Sequence, residues 1–247
     1  MHYDYVSVGF YTFDCRGWPV SAIPPGGGTS FIDEITLAVS GAAGTAAIVA
    51  AKLGLRTLAV GGYGCDMMGD WAVNRLEGFG IDTSGLQRLP GVPTSSSIML
   101  TRVDGSRPAL HVKGATGHFL IEPADFDRIT DTRVFHLGGV GLMDAMDGPG
   151  NAAPMAHAKA RGCITTVDIF AGSASDLPDI DAVPSLYRLF HPFGRRGTGT
   201  YRSDRSGSDG GLLPESGRRC LRLHPWGGRR VLSGSCGSDL PHPGLCR

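Results

Sequence analysis

Asp14 is the first residue whose setting suggests chemistry. It follows the apolar run Tyr5-Val6-Ser7-Val8-Gly9, within Gly9-Phe10-Tyr11-Thr12-Phe13-Asp14. In open parallel sheets ligands gather beyond the carboxyl ends of strands, where a carboxylate accepts hydrogen bonds from hydroxyls. A loop-capping aspartate fits the same position. Further on, Ser40-Gly41-Ala42-Ala43-Gly44-Thr45 opens an alanine-rich segment. Backbone N–H groups at a helix start can meet an oxygen-rich ligand, and small residues there equally serve tight helix–sheet packing. Gly26-Gly27-Gly28, after Pro24-Pro25, permits close backbone approach to a ligand or forms a flexible turn. Gly64-Cys65-Asp66-Met67-Met68-Gly69-Asp70 reads as a turn with a helix N-cap at Asp66 or Asp70. Cys15, Cys65, Cys163, Cys220, Cys236 and Cys246 lack metal-site spacing, and His111, His118 and His136 read as structural. Neither a Gly-x-x-x-x-Gly-Lys-Ser/Thr loop nor a Gly-x-Ser-x-Gly elbow occurs.

The elements that must position these residues follow from periodicity. Buried strands are predicted at 5–9, 57–61, 134–137 and 164–168, and helices at 44–53, 68–77 and 152–161. Segments 97–103 and 109–112 flank Asp104-Gly105-Ser106 as a hairpin. Strands alternating with helices predict an α/β fold with a mainly parallel sheet and a small antiparallel appendage.

The chain has 247 residues and formal net charge +0, but the charge is unevenly spread. Residues 1–184 hold 12 Lys+Arg against 19 Asp+Glu, and residues 185–247 hold 11 Arg against 4 Asp+Glu. After Ala182 there is no alanine, isoleucine, methionine or lysine up to residue 247. Such a tail can build little core and is expected to be disordered or irregular. The reading therefore divides the chain into 1–184 and 185–247. Met1-His2-Tyr3-Asp4 shows no basic region followed by an apolar stretch, so no export signal is expected. No membrane span is expected either, and the cysteines read as cytoplasmic thiols.

The ordered motifs resemble the ribokinase-like (PfkB) carbohydrate kinases. The run from Ser40 through Gly41, Gly44 and Thr45 to Leu53-Gly54 is similar to the first family signature, Gly-Gly-x-x-x-Asn-x-Ala, an alanine-rich helix, then Leu-Gly. Ser40 stands at the first glycine and Thr45 at the asparagine. The likeness continues through Val60-Gly61, Gly64-Cys65-Asp66 with Gly69, Gly80-Ile81-Asp82-Thr83, Pro93-Thr94-Ser95, Asp104-Gly105-Ser106-Arg107 and His136-Leu137-Gly138-Gly139. It covers residues 4–182.

The resemblance implies a ribokinase-like fold with a small β lid near 22–36 and 94–112, incomplete at the C-terminus. It implies phosphoryl transfer from ATP, with Mg2+, to a sugar or related alcohol. Asp14 stands at the family's sugar-binding aspartate, and Gly27, Gly28, Gly41 and Thr45 are the other expected substrate contacts. A homodimer through the lid is a further expectation. The family's Gly-Ala-Gly-Asp segment, which holds phosphate and the catalytic base, occurs nowhere in the 247 residues, and its Asn-x-x-Glu and Pro-Ser-x-x-Glu-Ala stretches, expected shortly after residue 184, do not follow there. Back-translating residues 186–202 in a frame shifted by one base admits a segment containing Pro-Ser-Val-Glu-Glu-Ala. Residues 220–232 admit a Leu-Gly-Ala-Glu-Gly turn in the same way. The tail therefore reads as out of frame, and the chain as catalytically incomplete. The alternative is a non-enzymatic binder whose arginine-rich tail grips nucleic acid.

Overall fold

A computed structural model describes residues 1–170 in full and, beyond them, the backbone of three strands at 189–193, 221–226 and 229–234. The chain divides into two compact units, Met1–Gly199 and Thr200–Arg247. In the first, the strands are β1 Tyr3–Gly9, β2 Thr12–Trp18, β3 Glu34–Ser40, β4 Thr57–Gly64, β5 Asp82–Leu89, β6 Ser96–Leu100, β7 Ala109–Val112, β8 Thr132–Val140, β9 Ile164–Phe170 and β10 Leu189–Phe193. The helices are α1 Ala42–Lys52, α2 Met67–Glu77, the short α3 Phe126–Ile129, and α4 Pro149–Ala160. In the second unit, β11 Leu221–Trp226 and β12 Arg229–Gly234 pair antiparallel. The remaining residues of the expected irregular tail lie outside the described residues.

Six strands form a parallel sheet in the order β10-β9-β8-β1-β4-β5. The central strands are apolar on both faces because both faces are covered. Val6, Val8, Leu58, Val60, Phe135 and Leu137 pack with Phe119, Ile129, Met143 and Met155 in one core cluster. Ala43, Ala47 and Ala59 pack with Tyr11, Ala72, Leu76 and Ile81 in another. The alanines of α1 are small enough for the helix to lie close to β1, β4 and β8, and Ala43, Gly44, Ala47 and Ala50 are the buried residues of that helix.

A second sheet, in the order β3-β2-β6-β7, forms the appendage. β2 pairs antiparallel with β3 and parallel with β6, and β6 pairs antiparallel with β7. Its strands differ from the predicted lid at 22–36. Residues 19–33 form the connection, and the strands lie on either side of it at Thr12–Trp18 and Glu34–Ser40. Gly17 and the polar Asp14 and Arg16 broke the apolar pattern that would have marked β2. β5 was also unpredicted, because its buried residue is Gly85, where a Cβ would stand 2.5 Å from the Ala59 carbonyl oxygen.

Candidate functional site

Asp14 lies in the middle of β2, not in a loop after β1, so the loop-capping alternative does not hold. Its ladder neighbours are Ala38 on β3 and Ser97 on β6, and Ser97 in turn is opposite His111 on β7. Residues opposite one another in a ladder share a face, which puts Asp14, Ser97 and His111 in one row. Ser97 Oγ and His111 Nδ1 are 3.0 Å apart, and the His111 ring meets Phe10 edge-on at 5.4 Å. Burial pushes the His111 pKa down, while the charge of Asp14 opposes that shift.

The Asp14 side chain is 4% exposed. Arg16 Nη2 donates to Asp14 Oδ2 at 3.4 Å and to Ser40 Oγ at 3.2 Å. Asp14 Oδ1 is buried with no hydrogen-bond partner, and so is Arg16 Nε. A buried carboxylate oxygen without a donor is costly, and a ligand hydroxyl is one donor that would satisfy it.

The start of α1 is joined to this row through Phe10 and Ser40. Gly41 caps the helix with φ 86°, and a Cβ there would stand 2.3 Å from the Phe10 carbonyl oxygen. That carbonyl accepts from Ala43 N at 3.2 Å and Gly44 N at 3.3 Å. Phe10 N donates to Gly138 O at 2.8 Å, and a Cβ on Gly139 would lie 2.5 Å from Phe10 Cβ. Only glycines allow the ends of β1 and β8 and the helix start to approach so closely. Gly41 thus neighbours Ser40, whose hydroxyl meets the guanidinium that meets Asp14.

Thr45 is exposed in the first turn of α1, with its N–H donating to Gly41 O at 2.8 Å. Gly27 and Gly28 sit on the exposed β2–β3 connection. Gly28 packs against Pro24 and Pro25 of its own turn, and nothing stands within 4 Å of a Cβ on Gly27. The described contacts therefore link Gly41 to Asp14 through Ser40 and Arg16, and those given for Gly28 lie within its own turn. Arg16, Ser97, His111 and Phe10 were not among the expected ligand contacts. The register of the second sheet gathers Arg16, Ser97 and His111, and Phe10 joins them through its contact with the His111 ring.

Polar contacts anchor this sheet to the body. Asp66 caps α2 by accepting from Gly69 N, and also accepts from Thr94 N at 2.8 Å and Thr94 Oγ1 at 2.6 Å. Burial raises its pKa, but the Thr94 and Gly69 donors together hold the carboxyl below its ordinary value. Lys113 Nζ reaches Asp144 at 2.7 Å. Beneath α1, Ser7 Oγ donates to Ala43 O at 2.8 Å, and His136 Nδ1 lies 2.8 Å from Thr166 Oγ1. Burial lowers the His136 pKa to about 4, so the ring is neutral. Among the described residues no group of three or more His, Cys, Asp or Glu side chains is placed to hold a metal ion. None of their helices is long and apolar enough to cross a membrane.

Comparison with known proteins agrees with this architecture. A family model described as "pfkB family carbohydrate kinase" matches residues 7–189. "Probable fructokinase-6, chloroplastic" of Arabidopsis thaliana is 25% identical over 153 residues, covering 60% of this chain and 40% of its own length. "Fructokinase-2" of Zea mays is 28% identical over 133 residues, covering 53% of this chain and 40% of its own length. The chain thus spans under half the length of the curated relatives it matches. Among solved structures, that of Arabidopsis thaliana ribokinase complexed with ribose and ATP superposes with a TM-score of 0.62 at 19% identity, over 78% of this chain and 60% of that one.

Proposed function

The chain belongs to the pfkB family of carbohydrate kinases, and on that premise we propose that its gene encodes an ATP-dependent kinase acting on a hydroxyl of a sugar or related alcohol. Residues 1–184 supply the sugar cleft and the lid. The observation that carries the reading is Asp14: a carboxylate almost wholly buried on the inner row of the lid sheet, with one oxygen lacking a donor. A ligand hydroxyl would supply that donor, and a second hydroxyl can reach the other oxygen once Arg16 shifts. Gly41 and the first amides of α1 border the same place.

ATP, when bound, supplies the transferable γ-phosphoryl group. Catalysis in this chemistry consists almost entirely of positioning and electrostatic stabilisation. In this chain Asp14 orients the alcohol, and the lid sheet limits access of water to it. The described residues hold no acidic cluster that fits the Mg2+ the family implies, so no step is assigned to it. The 247 residues contain no Gly-Ala-Gly-Asp segment to take the alcohol's proton. We therefore propose that residues 185–247 are out of frame and that the chain as written binds a sugar without turning it over at the rate of a complete kinase. The end of the family match at residue 189, beside the change in composition, supports this reading.

A homodimer through the lid belongs to the same proposal. Ile35, Leu37, Ile98, Leu110 and Val112 lie on the lid face opposite Asp14, all at least 47% exposed. Adjacent apolar residues on one sheet face suit a second copy of this chain.

The test has two arms. Calorimetric titration of the 247-residue chain with D-ribose and D-fructose should show binding that Asp14→Asn weakens. Resequencing the codons for residues 182–186 and restoring the frame should give a chain that phosphorylates a sugar with ATP. Full turnover by the chain as written would overturn the reading of the tail.

A further inference from the structure

Arg16 is the cation of this cleft, and we propose that it makes the cleft selective for a sugar acid, a polyol whose carboxylate is held by the guanidinium while a nearby hydroxyl donates to Asp14. This rests on the reading of the Asp14 cleft as a sugar site.

Asp14 and Arg16 are two positions apart on β2, so both side chains leave the same face. A bidentate guanidinium–carboxylate pair makes two parallel bonds, each at about 2.7–2.9 Å. Here a single nitrogen, Nη2, is shared between Asp14 Oδ2 at 3.4 Å and Ser40 Oγ at 3.2 Å. Nε is buried without a partner, although the side chain as a whole is 40% exposed. Arg16 Nε and Asp14 Oδ1 are thus a donor and an acceptor on the same face that both lack a protein partner.

A neutral polyol answers the acceptor alone with good geometry. A planar donor fork is matched by two oxygens in one plane, which a carboxylate has and an alcohol lacks. The neighbouring cationic groups do not compete for this role. Lys113 is engaged by Asp144 at 2.7 Å, and burial pushes His111 toward its neutral form. Ser40, which departs from the glycine of the signature it resembles, gives the guanidinium a second anchor and keeps it over the site.

The experiment is calorimetric titration of the 247-residue chain at low ionic strength with matched pairs of probes: D-gluconate against D-glucitol, and D-arabinonate against D-arabinitol. Each pair exchanges a carboxylate for a hydroxymethyl group. D-ribose and D-fructose report on the sugar cleft itself. In at least one pair the acid should bind about tenfold tighter than its alditol. Arg16→Gln should erase that preference, bringing the acid and its alditol to similar affinity, and Arg16→Lys, which keeps the charge without the fork, should restore only part of it. Thermal unfolding of each variant establishes that it is folded. If neutral sugars or alditols bind in an Asp14-dependent way and the acids bind no tighter, Arg16 does not select an acid, and the sugar cleft stands. The same holds if the acid preference survives in Arg16→Gln. If no probe binds the folded chain, the sugar-site reading and the role of Arg16 fall together.

Discussion

Thr94 Oγ1 stands 2.6 Å from Asp66 Oδ1 and accepts from Gly64 N at 2.9 Å, so one hydroxyl ties the entry to a lid strand to both the end of β4 and the cap of α2. The side chain is buried. Thr94→Val keeps the shape and removes the donor, leaving a buried N–H and a carboxylate oxygen short of a partner. The variant should lose about 2–3 kcal/mol of stability in denaturant titration. The Asp66 carboxyl should move up toward its ordinary value, so the variant should lose less further stability than the wild-type chain as pH falls through the carboxylate range.

Asp14→Asn separates function from stability. Loss of the charged acceptor should weaken binding of any bound sugar by about tenfold or more. The melting temperature should hold or rise, because a buried carboxylate with an unpartnered oxygen is removed and half-exposed Arg16 can turn to water. A lower melting temperature with unchanged affinity would assign Asp14 to structure alone.

His136 sets an acid limit. Its pKa falls from the ordinary 6.5 to about 4 in the folded chain, because burial penalises the charged ring. Between these values the unfolded chain binds a proton that the folded chain does not. Stability is then full above pH 6.5, declines as pH drops, and stops declining from this cause below about 4. The interval corresponds to about 3 kcal/mol. Denaturant midpoints measured at steps of pH should show this slope, and His136→Gln should flatten it between those limits.

A charge on the outer lid face tests self-association. Ile98→Glu places a carboxylate among Leu37, Leu110 and Val112 without touching the Asp14 row. If a second copy covers that face, sedimentation should show a dimer for the wild-type chain and a monomer for the variant at equal concentration. An unchanged distribution would place the interface elsewhere.

How far the sequence foretold this arrangement depended on which residues did the burying. Val6, Val8, Leu58 and Val60 declare β1 and β4, and the alanines of α1 declare a helix packed close on a sheet. Thr12–Trp18 carried no such signal, since its alternation serves Asp14 and Arg16 as much as any core. Asp14 was legible as a residue near the end of β1. Its partners were not, because Ser97 and His111 reach it through strand register and Ser40 through the Arg16 guanidinium, none of which has a local pattern. Gly27 and Gly28 drew attention by composition, and they lie on the exposed connection between β2 and β3.

The parallel pairing of β2 with β6 has a consequence for how this chain comes to be folded. β2 and β3 form a local hairpin that can close soon after synthesis. β6 arrives only after both α1 and α2, with β4 and β5 between, have been made. Until then the hairpin carries an open edge on the side of Asp14, and closing it means bridging a long loop. The row of Asp14, Ser97 and His111 is thus a late product of folding. A nascent or partly unfolded chain that has lost only β6 and β7 keeps its sheet core while offering strand β2 to any other chain with a free edge.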